Sequence, residues 1–278
     1  MCLYCWYTPR AMPRCPRIQV PGAYYHVTSR GTAKQPIFLD ENDRHFFERV
    51  LEQVVSSSAW HCNAYCMMNN HFHLLLETPE PNLSVGMKYL NGVYAQRFNV
   101  RHNRVGHLMQ GRFFSRLVTK DVYYFALARY IVLNPIRAGL CCRAEDWKWS
   151  SYRATTGLAT KPPYLQTEFL LSMFDTDPTC AAGQFSEFVR ASEDVEPSVA
   201  RAEMQVLLDD MEGEYGVALE NVFHPNMTRC ERNLRICDAY IEHGYSMRRI
   251  ADYLGINIAT VSRAVKQARE IENATQGV

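Results

Sequence analysis

The chain has 278 residues, 47% of them hydrophobic, and a formal net charge of +1. Those totals suit a soluble protein with one large domain plus additions, or two domains, and they exclude a chain that is basic throughout. No apolar run approaches the roughly 18 residues that a membrane span requires.

Residues 1–11 read as an extension, because Met12 offers a second start, and no basic stretch leading into an apolar core marks a signal peptide there. Cys2-x-x-Cys5 lacks a second pair at finger spacing, and the remaining cysteines follow no framework, so reduced thiols in a cytoplasm are the simplest reading. Ala23-Tyr24-Tyr25-His26-Val27-Thr28 is a strand by composition, closed by Ser29-Arg30-Gly31. Asp40 to Asp43 places acids in the first turn of a helix that continues through Phe46, Phe47, Val50, Leu51 and Val54. Trp60 to Met68 reads as a second strand, and Asn69-Asn70 as the turn into a third, His71-Phe72-His73-Leu74-Leu75-Leu76-Glu77. Pro81-Asn82 starts a helix to about Val100, with Val85, Leu90, Val93, Tyr94 and Phe98 inward. Arg101 to Gly106 is a basic loop, Arg112 to Thr119 a fourth strand, and a helix from Asp121 is expected to stop before Pro135. The order βα-ββ-αβ-α predicts an α+β fold: an antiparallel sheet with helices mainly on one face, leaving the other for a ligand.

Alternate residues of a strand share a face, so His71 and His73 point one way while Phe72, Leu74 and Leu76 point the other. Two imidazoles on a rigid strand can hold a divalent cation, given a third ligand, but they also read as surface histidines in a sheet. Tyr130 and Asn134 lie four apart on one helix face. An Asn134 amide oxygen can complete a His71/His73/Asn134 metal site, with Tyr130 beside it. A phenol needs a nearby cation or base before it attacks anything at neutral pH. Core packing is the plain reading of a helical tyrosine, and Tyr123 and Tyr124 are offered by the same helix. From Pro81 to Lys120 there is no acid, yet Lys88, Arg97, Arg101, Arg104, Arg112, Arg116 and Lys120 are interleaved with aromatic residues. Such a one-sided segment suggests a polyanion-binding face.

Several ordered blocks carry a resemblance. They are Pro21-Gly22-Ala23-Tyr24-Tyr25-His26-Val27-Thr28-Ser29-Arg30-Gly31, Asn70-His71-Phe72-His73-Leu74-Leu75, Gly106-His107-Leu108-Met109-Gln110-Gly111-Arg112-Phe113, Arg129-Tyr130-Ile131-Val132-Leu133-Asn134-Pro135-Ile136-Arg137-Ala138-Gly139-Leu140 and Trp149-Ser150-Ser151-Tyr152. Together they resemble the REP-associated tyrosine transposases, a branch of the insertion-sequence-200-like transposases within the HUH single-strand endonucleases. The likeness spans about residues 12–157. It implies a ferredoxin-like HUH core in which His71 and His73 are metal ligands, Asn134 the third ligand and Tyr130 the nucleophile. It also implies magnesium as the cation, with manganese as the alternative. Cleavage would leave a 5′-phosphotyrosine and a free 3′-hydroxyl on single-stranded or hairpin DNA. Arg101, Arg104, Arg112 and Arg116, with Arg30 and Arg137 of the matching blocks, would neutralise phosphates. Asn69 departs from the proline usual in the family, a change expected to affect only the turn.

The implied organisation is a catalytic domain over 12–158, a helical and acidic connector over 159–227 and an all-α DNA-binding domain over 228–278. In the last, residues 247–263 resemble a helix-turn-helix with Gly255 in the turn, and Thr260, Ser262, Arg263 and Lys266 would face duplex DNA. The expected location is cytoplasmic and nucleoid-associated, with no membrane partner, as monomer or homodimer. Two rivals share the core: a catalytically silent DNA-binding regulator, and a relaxase or rolling-circle initiator.

Overall fold

The structure is a computed structural model that describes residues 19–118, 121–195, 219–225, 227–242, 245, 247–257, 259–261 and 263–265. Its first part follows the expected order: β1 (Ala23–Arg30), α1 (Glu41–Ser57), β2 (His61–Met67), β3 (His71–Thr78), α2 (Leu83–Arg101), β4 (Phe114–Val118) and α3 (Asp121–Arg137). All strand pairs are antiparallel, and the sheet order is β2-β3-β1-β4. The two central strands are therefore β3, with the histidine pair, and β1.

Asp40 caps α1 by accepting from the Asp43 N–H at 3.0 Å, satisfying a donor that the first turn would otherwise leave open. The helix then buries Phe47, Val50, Leu51 and Val54. On α2 the inward face is Leu83, Met87, Leu90, Tyr94 and Phe98, while Val85, expected inward, is 72% exposed. Gly86 displaces it: a Cβ at that position would sit 2.2 Å from the Trp60 ring, so the helix is seated directly on the indole. Trp60 Nε1 donates to Asn82 Oδ1 at 2.6 Å at the same contact.

Helices α1 and α2 share one buried cluster with Tyr25, Val27, Phe72, Leu74 and Leu76. Its centre is aromatic, with the Phe47 ring 4.6 Å from Phe72 and 5.3 Å from Tyr94. The expectation that helices lie mainly on one face needs correction. Helix α3 packs on the opposite face, where Leu127, Ala128 and Ile131 share a second cluster with Ala64, Cys66 and Leu75. That face of β3 is polar at His71 and His73 but apolar at Leu75, so burying its apolar end draws a helix across it.

Helix α3 also runs through Pro135 to Arg137 rather than stopping before it. Proline removes the N–H that would bond Ile131 O. The Asn134 side chain compensates: its Nδ2 donates to Tyr130 O at 2.9 Å and Ile131 O at 3.4 Å.

Residues 159–195, expected in a connector, pack onto this domain instead, which therefore extends past 158. Three short helices follow α3: α4 (Tyr152–Thr155), α5 (Glu168–Ser172) and α6 (Pro178–Arg190). Tyr164 and Leu165 join the first cluster, and Leu170, Phe185 and Val189 the second. The Gln166 N–H bonds Cys62 O at 2.8 Å, covering the β2 edge.

The C-terminal part is a separate compact unit. It contains α7 (Leu219–Val222), α8 (Arg229–Cys237) and α9 (Met247–Leu254), then helical residues 259–261 and 263–265. Thr228 and Glu231 form a reciprocal cap on α8. Ile236, Ile250, Ala251, Val261, Ala264 and Val265 are buried. Gly255, at φ +62°, occupies the left-handed region that glycine enters without steric cost. Among the described residues no helix is long and apolar enough to cross a membrane.

Candidate active site

The site lies on the α3 face of the two central strands. In the β1–β3 register, Arg30 opposes His71, Thr28 opposes His73 and His26 opposes Leu75. Strand alternation puts all of these on one face. His71 and His73 have ring centroids 4.9 Å apart and interplanar angle 78°. His26 stacks on His73 at 5.2 Å and 16°. Its Nε2 lies 2.9 Å from His73 Nδ1, and Thr28 Oγ1 sits 3.2 Å from that same nitrogen. Tyr130, half-buried on α3, meets both rings edge-on, with centroids 5.9 Å from His73 and 6.3 Å from His26. The Arg137 guanidinium stands 4.9 Å over the Tyr130 ring.

Hydrogen bonds fix one tautomer. Asn70 Nδ2 donates to Lys34 O at 3.0 Å, so its Oδ1 must accept from His71 Nδ1, 2.7 Å away. His71 Nε2 then carries the lone pair. His73 Nδ1 is engaged with His26, while His73 Nε2 is buried with no hydrogen-bond partner. Orphaned buried polar atoms are rare in proteins and call for an explanation such as an ion.

The electrostatics favour neutral rings. Burial, reinforced by the Arg116 guanidinium, pulls His26 down to about 3. Burial and then Arg30 pull His71 down to about 4. His73 is pushed well below the ordinary imidazole value by burial first, then by its two histidine neighbours and Arg30. Neutral imidazole is the form that ligates metals.

Among the described residues no group of three or more His, Cys, Asp or Glu is arranged to hold a metal ion. His26 is turned to His73 and is not a third ligand. The donor set therefore has to be completed by a residue of another type. Asn134 suits that role, because its NH2 is spent on the α3 backbone and its oxygen remains for a hard cation. By donor type, His71 Nε2, His73 Nε2 and an amide oxygen such as Asn134 Oδ1 are groups that would suit a divalent ion.

Of the residues expected to contact DNA, Arg30 ends β1 opposite His71, and Arg116 opposes His26 on β4, 5.8 Å from the Phe114 ring. Arg112 is exposed just before β4. Arg104 donates to Gln35 Oε1 at 2.7 Å. Arg101 has its charge committed elsewhere, donating to Asp40 at 2.8 and 2.5 Å and to Asp43 at 2.5 Å. Thr260 is half-buried and Arg263 exposed. Ser262 and Lys266 lie outside the described residues. Sequence reasoning missed His26 and Thr28. The alternation Tyr24, His26, Thr28, Arg30 signalled a shared face, but only the register with β3 says which one.

Asn69 does more than shape the turn. Its Oδ1 accepts from Arg44 Nη2 at 2.8 Å, and its carbonyl accepts from the Ile37 and Phe38 N–H groups at 2.9 and 3.1 Å. Arg44 is itself buried beside Phe38, Trp147 and Trp149, 5.4–5.9 Å from the three rings.

Residues 19–133 match the family model described as "Transposase IS200 like". A Haemophilus influenzae protein, named provisionally as a REP-associated tyrosine transposase, is 25% identical over 117 residues. That match covers 38% of this chain and 66% of the relative, so the chain spans just under two thirds of the relative's length. A solved REP-associated tyrosine transposase bound to a REP hairpin aligns with TM-score 0.46 and 16% identity, over 56% of this chain and 92% of that one. A provisionally named transposase from Deinococcus radiodurans aligns with TM-score 0.32 and 19% identity, over 43% of this chain and 95% of that one.

Proposed function

We propose that this protein, whose residues 19–133 match the family model described as "Transposase IS200 like", is a divalent-metal-dependent transposase that cuts and rejoins single-stranded DNA at or beside palindromic repeats. The observation that carries the reading is the meeting, within one chain, of the Tyr130 ring with the imidazole group at 5.9 Å from His73. The name of the Haemophilus influenzae relative supports repeats of the REP type as the target.

His71, His73 and Asn134 would hold the cation. When bound, the metal polarises the scissile phosphate, magnesium being the first choice for an oxygen-rich ligand such as DNA. Arg137 over the Tyr130 ring restrains the phenol and stabilises negative charge near it. The Tyr130 oxygen attacks phosphorus. A Tyr130–phosphorus bond forms as the bond to the 3′ oxygen breaks. The phenol loses a proton and the departing 3′ oxygen gains one, so a 5′-phosphotyrosine and a 3′-hydroxyl result. A second strand's 3′-hydroxyl reverses the step and joins new ends without ATP, because the phosphoester energy is kept in the covalent link. Arg30, Arg112 and Arg116 offer cations to flanking phosphates. In the C-terminal unit the helical residues after Gly255 present Arg263, and we assign that unit the role of a helix-turn-helix duplex-DNA binder.

The test is covalent capture. Hairpin oligonucleotides drawn from palindromes beside the gene, labelled at the 3′ end, are incubated with full-length protein and magnesium, then run on a denaturing gel. A labelled protein adduct is expected with wild type, and neither with Tyr130→Phe nor after EDTA. An adduct that persists in Tyr130→Phe rules out this tyrosine; one that persists in EDTA rules out the metal.

A further inference from the structure

We propose that His26 is a positioning residue of the metal centre: its Nε2 accepts the His73 Nδ1–H, fixing the ring and tautomer that present His73 Nε2 to the cation. The proposal rests on the metal reading above and adds a residue that reading does not use.

The geometry has three parts. First, the two ring nitrogens are 2.9 Å apart, a distance at which exactly one proton must lie between them. If it sat on His26, then His73 would carry its proton on Nε2. That N–H would be buried with no acceptor. With the proton on His73 Nδ1 the orphan is instead the His26 Nδ1–H, so hydrogen bonding alone balances the two placements and the cation decides between them. In this second placement His73 Nε2 holds a lone pair that a cation can take up. Second, the rings are stacked at 16°, and Thr28 Oγ1 lies 3.2 Å from His73 Nδ1 and 3.4 Å from His26 Nε2. The contact is therefore held from two β1 side chains. Third, His26 is held on the central strand β1, whose facing partners in β3 include His71 and His73. Partners of this kind orient ligating histidines in metal proteins, usually as carboxylates or carbonyls. Here the acceptor is a neutral imidazole, which adds no charge to the centre and leaves the cation free to interact with phosphate.

Two substitutions separate acceptance from packing. His26→Gln keeps an amide oxygen able to accept. His26→Phe keeps a flat ring that fills the stack but accepts nothing. Full-length wild type, both variants and His73→Ala are titrated with manganese chloride alone, and free Mn2+ is read by electron paramagnetic resonance. Long-range 15N–1H spectra of wild type saturated with magnesium chloride report the His73 tautomer. The expected results are a proton on His73 Nδ1, Mn2+ affinity lowered tenfold or more in His26→Phe, and affinity within about threefold of wild type in His26→Gln. Thermal unfolding confirms that each variant is folded. Wild-type affinity in folded His26→Phe, or a His73 proton on Nε2, overturns the role of His26 while leaving the metal centre in place. Mn2+ binding that is absent in wild type, or unaffected in His73→Ala, overturns the metal reading and this inference with it. Should His26→Phe fail to fold, the spectrum of wild type and the affinity of His26→Gln decide: a tenfold loss in folded His26→Gln together with the Nε2 tautomer refutes the proposal.

Discussion

The two faces of β3 use alternate residues of one eight-residue strand for different ends. Phe72, Leu74 and Leu76 enter a dry aromatic core under α1 and α2. His71 and His73 enter a polar face on which Tyr130 meets the His73 ring edge-on. The first face is non-directional burial, tolerant of the details of each ring. The second depends on single atoms: which nitrogen bears a proton, which oxygen an amide presents. Because the side-chain period is two, the core face fixes the register that places the histidines. Changes on one face should therefore lower stability, and changes on the other should lower chemistry at constant stability.

The largest expected separation comes from Tyr130→Phe. The ring and its edge-on contacts remain, so thermal unfolding should shift little. Covalent adduct formation should fall by on the order of 10³-fold or more, since the variant lacks the oxygen proposed to attack phosphorus. Adduct yield against time on a denaturing gel reads the first quantity, and calorimetry the second. The opposite case is Phe72→Ala, which empties a buried site touching Phe47. A loss of about 3–5 kcal/mol in chemical unfolding is expected, with adduct chemistry retained at temperatures where the variant is still folded. Lost chemistry in a fully folded Phe72→Ala would break the comparison.

Between these lies the turn that joins the two faces. Arg44 is a buried cation held by Asn69 and three aromatic rings. Arg44→Leu should cost about 1–3 kcal/mol, because it strands the Asn69 oxygen. It should also weaken Mn2+ binding modestly, since Asn69 anchors the turn that leads into His71. Asn69→Pro removes the acceptor from Arg44 and should likewise destabilise this chain. A neutral or stabilising effect would show that the Arg44 contact is incidental.

The apolar face was legible in the sequence and the polar one only in part. Element order and the alternation through β3 follow from period and spacing, whereas spacing left Tyr123, Tyr124 and plain core packing open beside Tyr130, which only the resemblance singled out. His26 was hidden because a strand's alternation does not say which face meets which partner; only the β1–β3 register does. Pro135 was misread as a stop because the compensating bond comes from the Asn134 side chain, a local competition that pattern rules ignore. The packing of residues 159–195 was missed because a helix as short as α5 gives little periodic signal, and the bond from the Gln166 N–H to Cys62 O depends on the β2 edge rather than on local sequence.

The smallest effects concern charge, where Arg101 and Arg116 should differ although both sit in the acid-free segment. Arg116→Ala should lower the log–log salt slope of single-strand binding by about 0.7 if it neutralises one phosphate. Arg101→Ala should leave that slope unchanged, because Asp40 and Asp43 already occupy its guanidinium. Its effect should instead be on folding and should depend on pH. Hydrogen bonding to Arg101 holds the Asp40 carboxyl down to about 2 from an ordinary value of 3.8. A carboxyl whose folded pKa is depressed stabilises the fold above its unfolded value and stops doing so as pH falls through the folded one. The gap in unfolding midpoint between wild type and Arg101→Ala should therefore be constant from pH 7 to 5 and narrow as pH falls below about 4 toward 2. High salt should narrow it at any pH, because the pair is exposed to solvent. A gap that instead widened in acid would assign the stabilisation to a group other than Asp40.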